Sequence, residues 1–216
     1  MFQSITSNLL WSESPWIIAL LLIVGLIGCF FFKPVFYGAL LLFAFCFYFF
    51  RNPERICPEA LVDQNVLVCP ADGKIVDVSY DPHGGFSGYY YKVSIFLSPL
   101  NVHVNWIPIS GIIKKIQYVR GKFMMAFLPK SSELNEHNDI VIDHNGTTIL
   151  VRQIAGTVAR RIVCWAHEGQ QVAAGQKYGM IKFSSRVDIL LPKEISLEVN
   201  GGQKVYGGKT VLGRLL

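Results

Sequence analysis

The sequence predicts a mainly β protein that is preceded by an apolar helical hairpin. Two observations lead to this fold class. Residues 1–55 are dominated by a double-length apolar segment, and residues 56–216 consist of short alternating or β-branched runs between turn signals. Of the 216 residues, 51% are hydrophobic and 16% are charged. Typical soluble domains carry about a quarter charged residues, so we expect part of the apolar surface to meet lipid.

The apolar segment contains two runs, 16–32 and 35–50, with a break at Pro34. Each run is close to the lower limit of ~17 residues for a membrane-spanning helix. Pro34 disfavours one straight helix through both runs. A spanning hairpin and a kinked insertion that enters and leaves on one side both remain open. The basic residues Arg51 and Arg55 predict that the following domain lies on the cytoplasmic side of the cell membrane.

Residues 56–216 are predicted to form strands separated by turns such as Asp72-Gly73 and Asn145-Gly146. Asn-Gly between two strand-like runs is a strong hairpin signal. The predicted strands are 66–69, 74–80, 89–97, 102–107, 111–120, 139–143, 147–154, 158–166, 179–183, 186–191 and 205–212.

Glycine and valine recur at similar spacing from Gly156, Gly169 and Gly201. This layout is common in barrel-sandwich-hybrid folds, because small residues are needed where strands cross closely or turn tightly. We therefore expect a barrel-sandwich-hybrid-like domain. A non-enzymatic membrane-anchored carrier or adaptor would share that fold. A carrier needs a modifiable lysine in a triplet such as MKM or DKA, and the sequence contains neither.

Charge and cysteine content restrict the partners and cofactors. The net charge of +5 is too small to indicate a nucleic-acid partner. It suits a surface that approaches anionic membrane lipid, where each Lys or Arg contributes roughly 1 kcal/mol. The scattered cysteines have no CxxC spacing, so we expect neither a disulfide framework nor a metal site. They are Cys29, Cys46, Cys57, Cys69 and Cys164.

Three segments carry side chains that are able to do chemistry. Ser184-Ser185 lies between two apolar runs, although a polar turn is the simplest interpretation. Asp72 precedes a glycine, which a plain turn also explains. His103 lies on the polar face of a predicted strand, where water exposure is the simplest expectation. Histidine can also exchange a proton near neutral pH. Taken singly, none of these residues identifies a function.

Seven segments in this order resemble the short bacterial form of the phosphatidylserine decarboxylases. The resemblance runs from the apolar N-terminus to Pro192. Its segments are 50–55 (FRNPER), 70–75 (PADGKI), 96–105 (FLSPLNVHVN), 135–138 (NEHN), 152–164 (RQIAGTVARRIVC), 179–183 (GMIKF) and 186–188 (RVD).

The resemblance implies a self-processing proenzyme. Matched by position, the chain would be cut between Ser184 and Ser185, giving a β chain of residues 1–184 and an α chain of residues 185–216. The two chains would stay together as a heterodimer, with further oligomerisation left open. Ser185 would become a pyruvoyl group, with no pyridoxal phosphate and no metal. Its ketone would take the amine of phosphatidylserine as a Schiff base, leading to phosphatidylethanolamine and CO₂ in phospholipid biosynthesis.

The sequence departs from the family pattern at two positions. Ser184 stands where the family has glycine, which can adopt strained conformations that serine resists. We still expect cleavage, because the reaction needs only the carbonyl of residue 184. Trp106 occupies the position of a second histidine in longer relatives. Asp72 and His103 therefore remain the candidates for the base that activates Ser185, and His103 is expected to reprotonate the product carbon.

An enzymatic alternative and a pseudoenzyme also remain open. An archaetidylserine decarboxylase would share the headgroup chemistry and differ only in the lipid. A pseudoenzyme that stays uncut at Ser184 would share the whole sequence pattern, and only a cleavage assay would distinguish it.

Overall fold

The computed structural model describes residues 10–124, 134–157, 161–182 and 185–216. The chain divides into two compact units, Met1–Glu54 and Arg55–Leu216. The described helices of the first unit are α1 (Leu10–Glu13), α2 (Pro15–Phe31) and α3 (Lys33–Phe49). The described elements of the second unit are the short helix α4 (Pro58–Val62) and all the described strands.

Helices α2 and α3 form an antiparallel hairpin. The helices are separated at Phe32, whose backbone is extended at φ −157° and ψ 93°. Pro34 lies in the first turn of α3, where its missing N–H removes no helical hydrogen bond. Gly28 lets the helices approach closely, since a Cβ there would lie 2.5 Å from the backbone nitrogen of Phe36. The break that the sequence predicts at Pro34 is therefore present.

The length and hydropathy of the helices decide whether they are able to cross a membrane. Among the residues that the structure describes, no helix is both long enough and apolar enough to cross a membrane. The spanning form of the predicted anchor is therefore not supported.

The second unit contains fourteen described strands, all paired antiparallel. They are β1 (Val66–Val68), β2 (Gly73–Tyr80), β3 (Tyr91–Leu97), β4 (Val104–Trp106), β5 (Gly111–Val119), β6 (His137–His144), β7 (Thr147–Ala155), β8 (Ile162–Cys164), β9 (Gln171–Val172), β10 (Lys177–Ile181), β11 (Ser185–Leu191), β12 (Ile195–Leu197), β13 (Lys204–Val205) and β14 (Val211–Leu215).

The described strands form three open sheets. The large sheet has the order β13-β2-β3-β11-β7-β6-β5-β9, and the small sheets have the orders β1-β14-β12 and β4-β10-β8. The mainly β prediction is confirmed, whereas the finer barrel-sandwich-hybrid arrangement is not.

The main difference from the predicted strands lies at 205–212. A single strand is expected there, but β13 ends at Val205 and β14 begins at Val211. Gly208 between them has φ 70°, a left-handed conformation that ends strand pairing. The short strands β9 and β12 were not predicted. Part of the strand predicted at 158–166 lies outside the described residues.

Strand β11 lies in the middle of the large sheet and is buried along its whole length. It pairs with β3 on one side and with β7 on the other. Val187, Ile189 and Leu191 enter the main hydrophobic core, which also receives side chains from the small sheets. Successive strand residues point to opposite faces, so Ser185, two positions before Val187, faces the same core.

Candidate active site

The strand register brings Ser185 and Asp72 to the same end of the large sheet. Ser185, the first residue of β11, pairs with Leu97, the last residue of β3. Gly73, the first residue of β2, packs so tightly on β3 that a Cβ would collide with the carbonyl oxygen of Phe96. Asp72 immediately precedes Gly73. Strand β3 therefore separates two of the predicted site residues, which lie at the same level of the sheet.

The hydroxyl of Ser185 lies in an unusual environment. The residue is fully buried, and its Oγ has no hydrogen-bond partner among the described residues. Leaving a buried polar group unsatisfied costs about 1–3 kcal/mol, and such groups need a specific explanation such as a catalytic role. Ser184, the other half of the predicted cleavage site, lies outside the described residues.

Both carboxylate oxygens of Asp72 accept hydrogen bonds. Arg55 donates from Nη1 to Oδ1 and from Nη2 to Oδ2, the latter at 3.0 Å. The N–H of Gly207 donates to Oδ1 at 2.9 Å. The side chains of Arg55 and Asp72 are only 10% and 5% exposed. A bidentate pair of this kind adds geometric specificity as well as energy, so it fixes the position of the carboxylate.

Arg55 makes two more contacts in the same place. Its Nη1 donates to the carbonyl oxygen of Gly207 at 2.8 Å, and its guanidinium carbon lies 4.8 Å from the centroid of the Trp106 ring. The prediction that Arg55 marks the cytoplasmic flank of the apolar segment stays a prediction, and the structure adds that its guanidinium is bonded to Asp72. Its charge is buried beside Asp72. Arg55 is the last residue of the FRNPER segment, which carries part of the resemblance. That segment did not indicate its acidic partner, Asp72, which lies 17 positions further along the chain.

His103 is fully buried just before β4. Its Nδ1 lies 2.9 Å from the carbonyl oxygen of Asn101. A carbonyl can only accept, so Nδ1 carries the hydrogen and Nε2 is the nitrogen that exchanges protons. The expectation that His103 shares a water-exposed strand face is wrong, because both His103 and Asn105 are buried.

The backbone places His103 beside the chain that leads to Ser185. Strand β4 pairs with β10, with Val104 opposite Met180. The N–H of Ile181 then donates to the carbonyl oxygen of His103 at 3.2 Å. Ser185 begins the next strand after β10. His103 therefore lies alongside the segment that precedes the predicted cleavage site.

A link also joins β4 to the Asp72 segment. The N–H of Trp106 donates to the carbonyl oxygen of Pro70 at 2.9 Å. Gly208 is needed against this indole, because a Cβ there would lie 3.0 Å from the Trp106 ring. The segment that holds Asp72 and the strand that follows His103 are thus hydrogen-bonded to each other.

The opposite face of β11 carries a buried ion pair directly after Ser185. Arg186 Nε donates to Asp188 Oδ1 at 2.6 Å, and Arg186 Nη2 donates to Ser94 Oγ at 2.6 Å. These bonds tie the start of β11 to β3. The Arg186-Val187-Asp188 motif therefore holds the strand that Ser185 begins, with Ser185 itself on the other face.

Two further histidines are structural rather than surface residues. His137 and His144 lie at the two ends of β6 and are buried. Their Nδ1 atoms lie 2.7 Å from the carbonyl oxygens of Asn135 and Ser110. Both rings are thus used to hold turns at the strand ends.

A thiol is a poor candidate for the nucleophile of this site. Cys69 lies close to Asp72 in sequence, but burial raises the pKa of its thiol to about 12. Its Sγ donates to the carbonyl oxygen of Ala71 at 3.1 Å. The thiolate is the reactive form of cysteine, so Cys69 is unreactive at neutral pH. Ser185 remains the nucleophile that the site offers.

Comparison with known proteins gives one consistent answer. The family model described as Phosphatidylserine decarboxylase matches residues 42–213. The phosphatidylserine decarboxylase proenzyme of Chlorobium phaeobacteroides is 47% identical over 177 residues, 82% of each chain. The proenzyme of Ehrlichia ruminantium is 49% identical over 174 residues, 79% of this chain and 75% of the relative. That of Syntrophus aciditrophicus is 44% identical over 203 residues, 92% of this chain and 93% of the relative.

Proposed function

The chain belongs to the phosphatidylserine decarboxylase family, and we propose that it converts phosphatidylserine to phosphatidylethanolamine and CO₂ after cutting itself at Ser184-Ser185. The observation that carries the proposal is the hydroxyl of Ser185, which is buried at the start of the central strand and has no hydrogen-bond partner within the part of the chain that the structure describes. The names of the relatives favour this enzyme over a carrier, an adaptor or an archaetidylserine decarboxylase.

Self-processing needs only groups of the chain and one water. In the proposal, Ser185 Oγ attacks the carbonyl carbon of residue 184, the peptide C–N bond breaks, and an ester links the two segments. Loss of the Ser185 Cα proton then expels the carboxylate of residue 184 and leaves dehydroalanine. Hydrolysis consumes one water, releases ammonia and leaves a pyruvoyl group at the start of the 185–216 chain.

The residues around Ser185 fit a pyruvoyl group. Among residues 10–124, 134–157, 161–182 and 185–216, none bonds the hydroxyl that must react, and the strand that carries it is held between β3 and β7. The group supplies an electron sink for the carbanion that is left when CO₂ departs. The closely packed core around Val187 and Ile189 limits the access of water from the inner side of this strand.

We assign the proton transfers to His103 Nε2. Its Nδ1 is held by the Asn101 carbonyl, which fixes the ring and leaves Nε2 as the exchanging atom. During processing Nε2 would accept the Ser185 proton, and during turnover it would return a proton to the product carbon. We assign Asp72 a positioning role, because both of its carboxylate oxygens already accept hydrogen bonds from Arg55 or Gly207.

The proposal extends to location. We propose that the α2–α3 hairpin attaches the enzyme to anionic lipid of the cell membrane from the cytoplasmic side, entering and leaving on that side. Each helix has 17 residues, about 25 Å of length. Large apolar side chains are exposed along both helices, among them Leu22, Phe31 and Leu41. Attachment would hold the site where its insoluble substrate is concentrated.

The cleavage assay tests the proposal. A denaturing gel of purified protein should show two chains, and Ser185→Ala should give one uncut chain without activity. Vesicles that contain phosphatidylserine or archaetidylserine separate the two lipid substrates. Full activity from an uncut chain would refute the pyruvoyl mechanism, and an uncut inactive chain would favour the pseudoenzyme.

A further inference from the structure

Three buried carboxamide side chains form a hydrogen-bond chain in which the nitrogen of each donates to the oxygen of the next. Asn138 Nδ2 donates to Gln153 Oε1 at 3.0 Å, and Gln153 Nε2 donates to Asn105 Oδ1 at 2.8 Å. All three residues are buried. In this arrangement each amide nitrogen donates to the oxygen of the next amide, so the series runs from Asn138 through Gln153 to Asn105. The last amide must therefore point its own nitrogen away from Gln153.

The chain ends in a donor that has no acceptor. Asn105 Nδ2 is buried and has no hydrogen-bond partner among the described residues. Asn105 itself is fully buried, so water does not replace the missing acceptor at its surface. A buried unsatisfied donor destabilises the folded protein, and a donor held this way is typical of a functional site.

The strand register places this donor near Ser185. Gln153 lies directly opposite Val187 on β11, so it is a diagonal neighbour of Ser185, with ~7–8 Å between such positions. The side chains of Gln153 and Ser185 project from the same face of the sheet. Asn105 pairs with Gly179 on β10, the strand that precedes Ser185. Through its bond to Gln153, Asn105 therefore contacts the face of the large sheet that also carries the Ser185 side chain.

Gly179 keeps this contact open. A Cβ at Gly179 would lie 3.1 Å from Gln153 Nε2 and would collide with the carbonyl oxygen of Val163. Any larger residue there would press on the amide that orients Asn105. The close packing of β10 on β7 is therefore compatible with the amide chain only when residue 179 is glycine.

We propose that Asn105 is a catalytic residue of self-processing, whose Nδ2–H donates to the oxyanion formed on the carbonyl oxygen of residue 184. Gln153 and Asn138 are positioning residues that aim this donor. When Ser185 Oγ attacks, the new C–O bond pushes the carbonyl electron pair onto that oxygen, and the Oγ proton goes to the base. Collapse of the oxyanion breaks the C–N bond, and the Asn105 hydrogen is not transferred. Fixed neutral donors stabilise such oxyanions strongly because they need no reorganisation. This inference rests on the proposed self-cleavage.

The test follows cleavage of freshly synthesised full-length chain with time, by denaturing gel and intact mass. Asn105→Asp keeps the shape but replaces the donor with an acceptor, and we expect cleavage to slow by about 10²–10³-fold. Gln153→Glu removes the donor that orients Asn105, and we expect a smaller slowing, about tenfold. The matched control is Ile142→Ala, a buried truncation in β6 on the same side of the core, which should cut at the wild-type rate.

Thermal unfolding of each variant, measured in the Ser185→Ala background, separates a loss of stability from a loss of chemistry. Slow cleavage in Asn105→Asp with an unfolding midpoint no lower than that of Ile142→Ala supports the proposal. Wild-type cleavage in Asn105→Asp overturns it, as does equal slowing in Ile142→Ala. Normal cleavage with a raised KM for phosphatidylserine would instead assign Asn105 to substrate binding. If the wild type itself stays uncut, the proposed function fails and this inference fails with it.

Discussion

The buried pair of Arg55 and Asp72 gives a prediction about stability. Arg55→Ala would leave the Asp72 carboxylate, which is 5% exposed, with the Gly207 N–H as its remaining donor. Breaking a buried pair by removing one partner costs about 3–5 kcal/mol, because the other charge stays buried. Loss of the contact with the Trp106 ring adds to this. We therefore expect Arg55→Ala to lower the free energy of unfolding by about 3–5 kcal/mol.

A double-mutant cycle isolates the pair. Asp72→Ala removes the other charge, and the variant that lacks both residues contains no unpaired buried charge. Its loss of stability should therefore be smaller than the sum of the two single losses by at least about 2 kcal/mol. The assay is urea unfolding in the Ser185→Ala background, where the chain stays in one piece. Arg55→Lys, which keeps the charge but loses the bidentate geometry, is the conservative control.

Additive losses within about 0.5 kcal/mol would refute this reasoning, because residues that do not interact behave that way. A loss below about 1 kcal/mol in Arg55→Ala would also refute it, since that is the range of exposed ion pairs. In an otherwise wild-type chain, Arg55→Lys should cut more slowly than wild type if Asp72 must be fixed for processing.

Two further predictions concern the Asn145-Gly146 hairpin and the cut chain. The side chain of Lys114 and the N–H of Gly146 bond Asp143 and hold its pKa below the ordinary 3.8. The ionised form therefore stabilises the fold above that value, and the effect is lost as the pH falls through the lowered pKa. Asp143→Asn should melt below wild type at pH 7, and a gap that persisted in strong acid would contradict this. The 185–216 chain supplies the central strand β11 and also β13 and β14. The cut protein should therefore elute as one species in native size-exclusion chromatography and separate only in denaturant; separation in native buffer would contradict the role of β11.

Local patterns in the sequence were sufficient for the hairpin and for most strands. Pro34 prevents one straight helix through both apolar runs. Its effect depends only on the local backbone, so the sequence is enough to predict it. The alternating runs became strands because their period matches the pleat. The split at 206–210 was missed, since the left-handed conformation of Gly208 is fixed by its packing on Trp106, which is far away in sequence.

The candidate site was predicted only in part, and burial explains the difference. The order of the matched segments identified Ser185, Asp72 and His103. Strand alternation predicted that His103 is exposed to water, because alternation shows which residues share a face but not whether another element covers that face. Arg55 was assigned only to the flank of the apolar segment, because the sequence does not show that its guanidinium is bonded to Asp72. Gln153 lies in the segment 152–164 that carries the resemblance, but nothing in that segment indicated its contact with Asn105, 48 positions away.

The most direct test of the central claim is the intact mass of the purified wild-type protein under denaturing conditions. The account predicts two chains and no full-length species. The smaller chain contains 32 of the 216 residues of a 24.3-kDa protein, hence roughly 3.6 kDa. Its mass should be lower than that of the unmodified 185–216 peptide by one ammonia, as conversion of Ser185 to a pyruvoyl group requires. A single 24.3-kDa species with full decarboxylase activity, or a smaller chain that begins with unmodified serine, would contradict it.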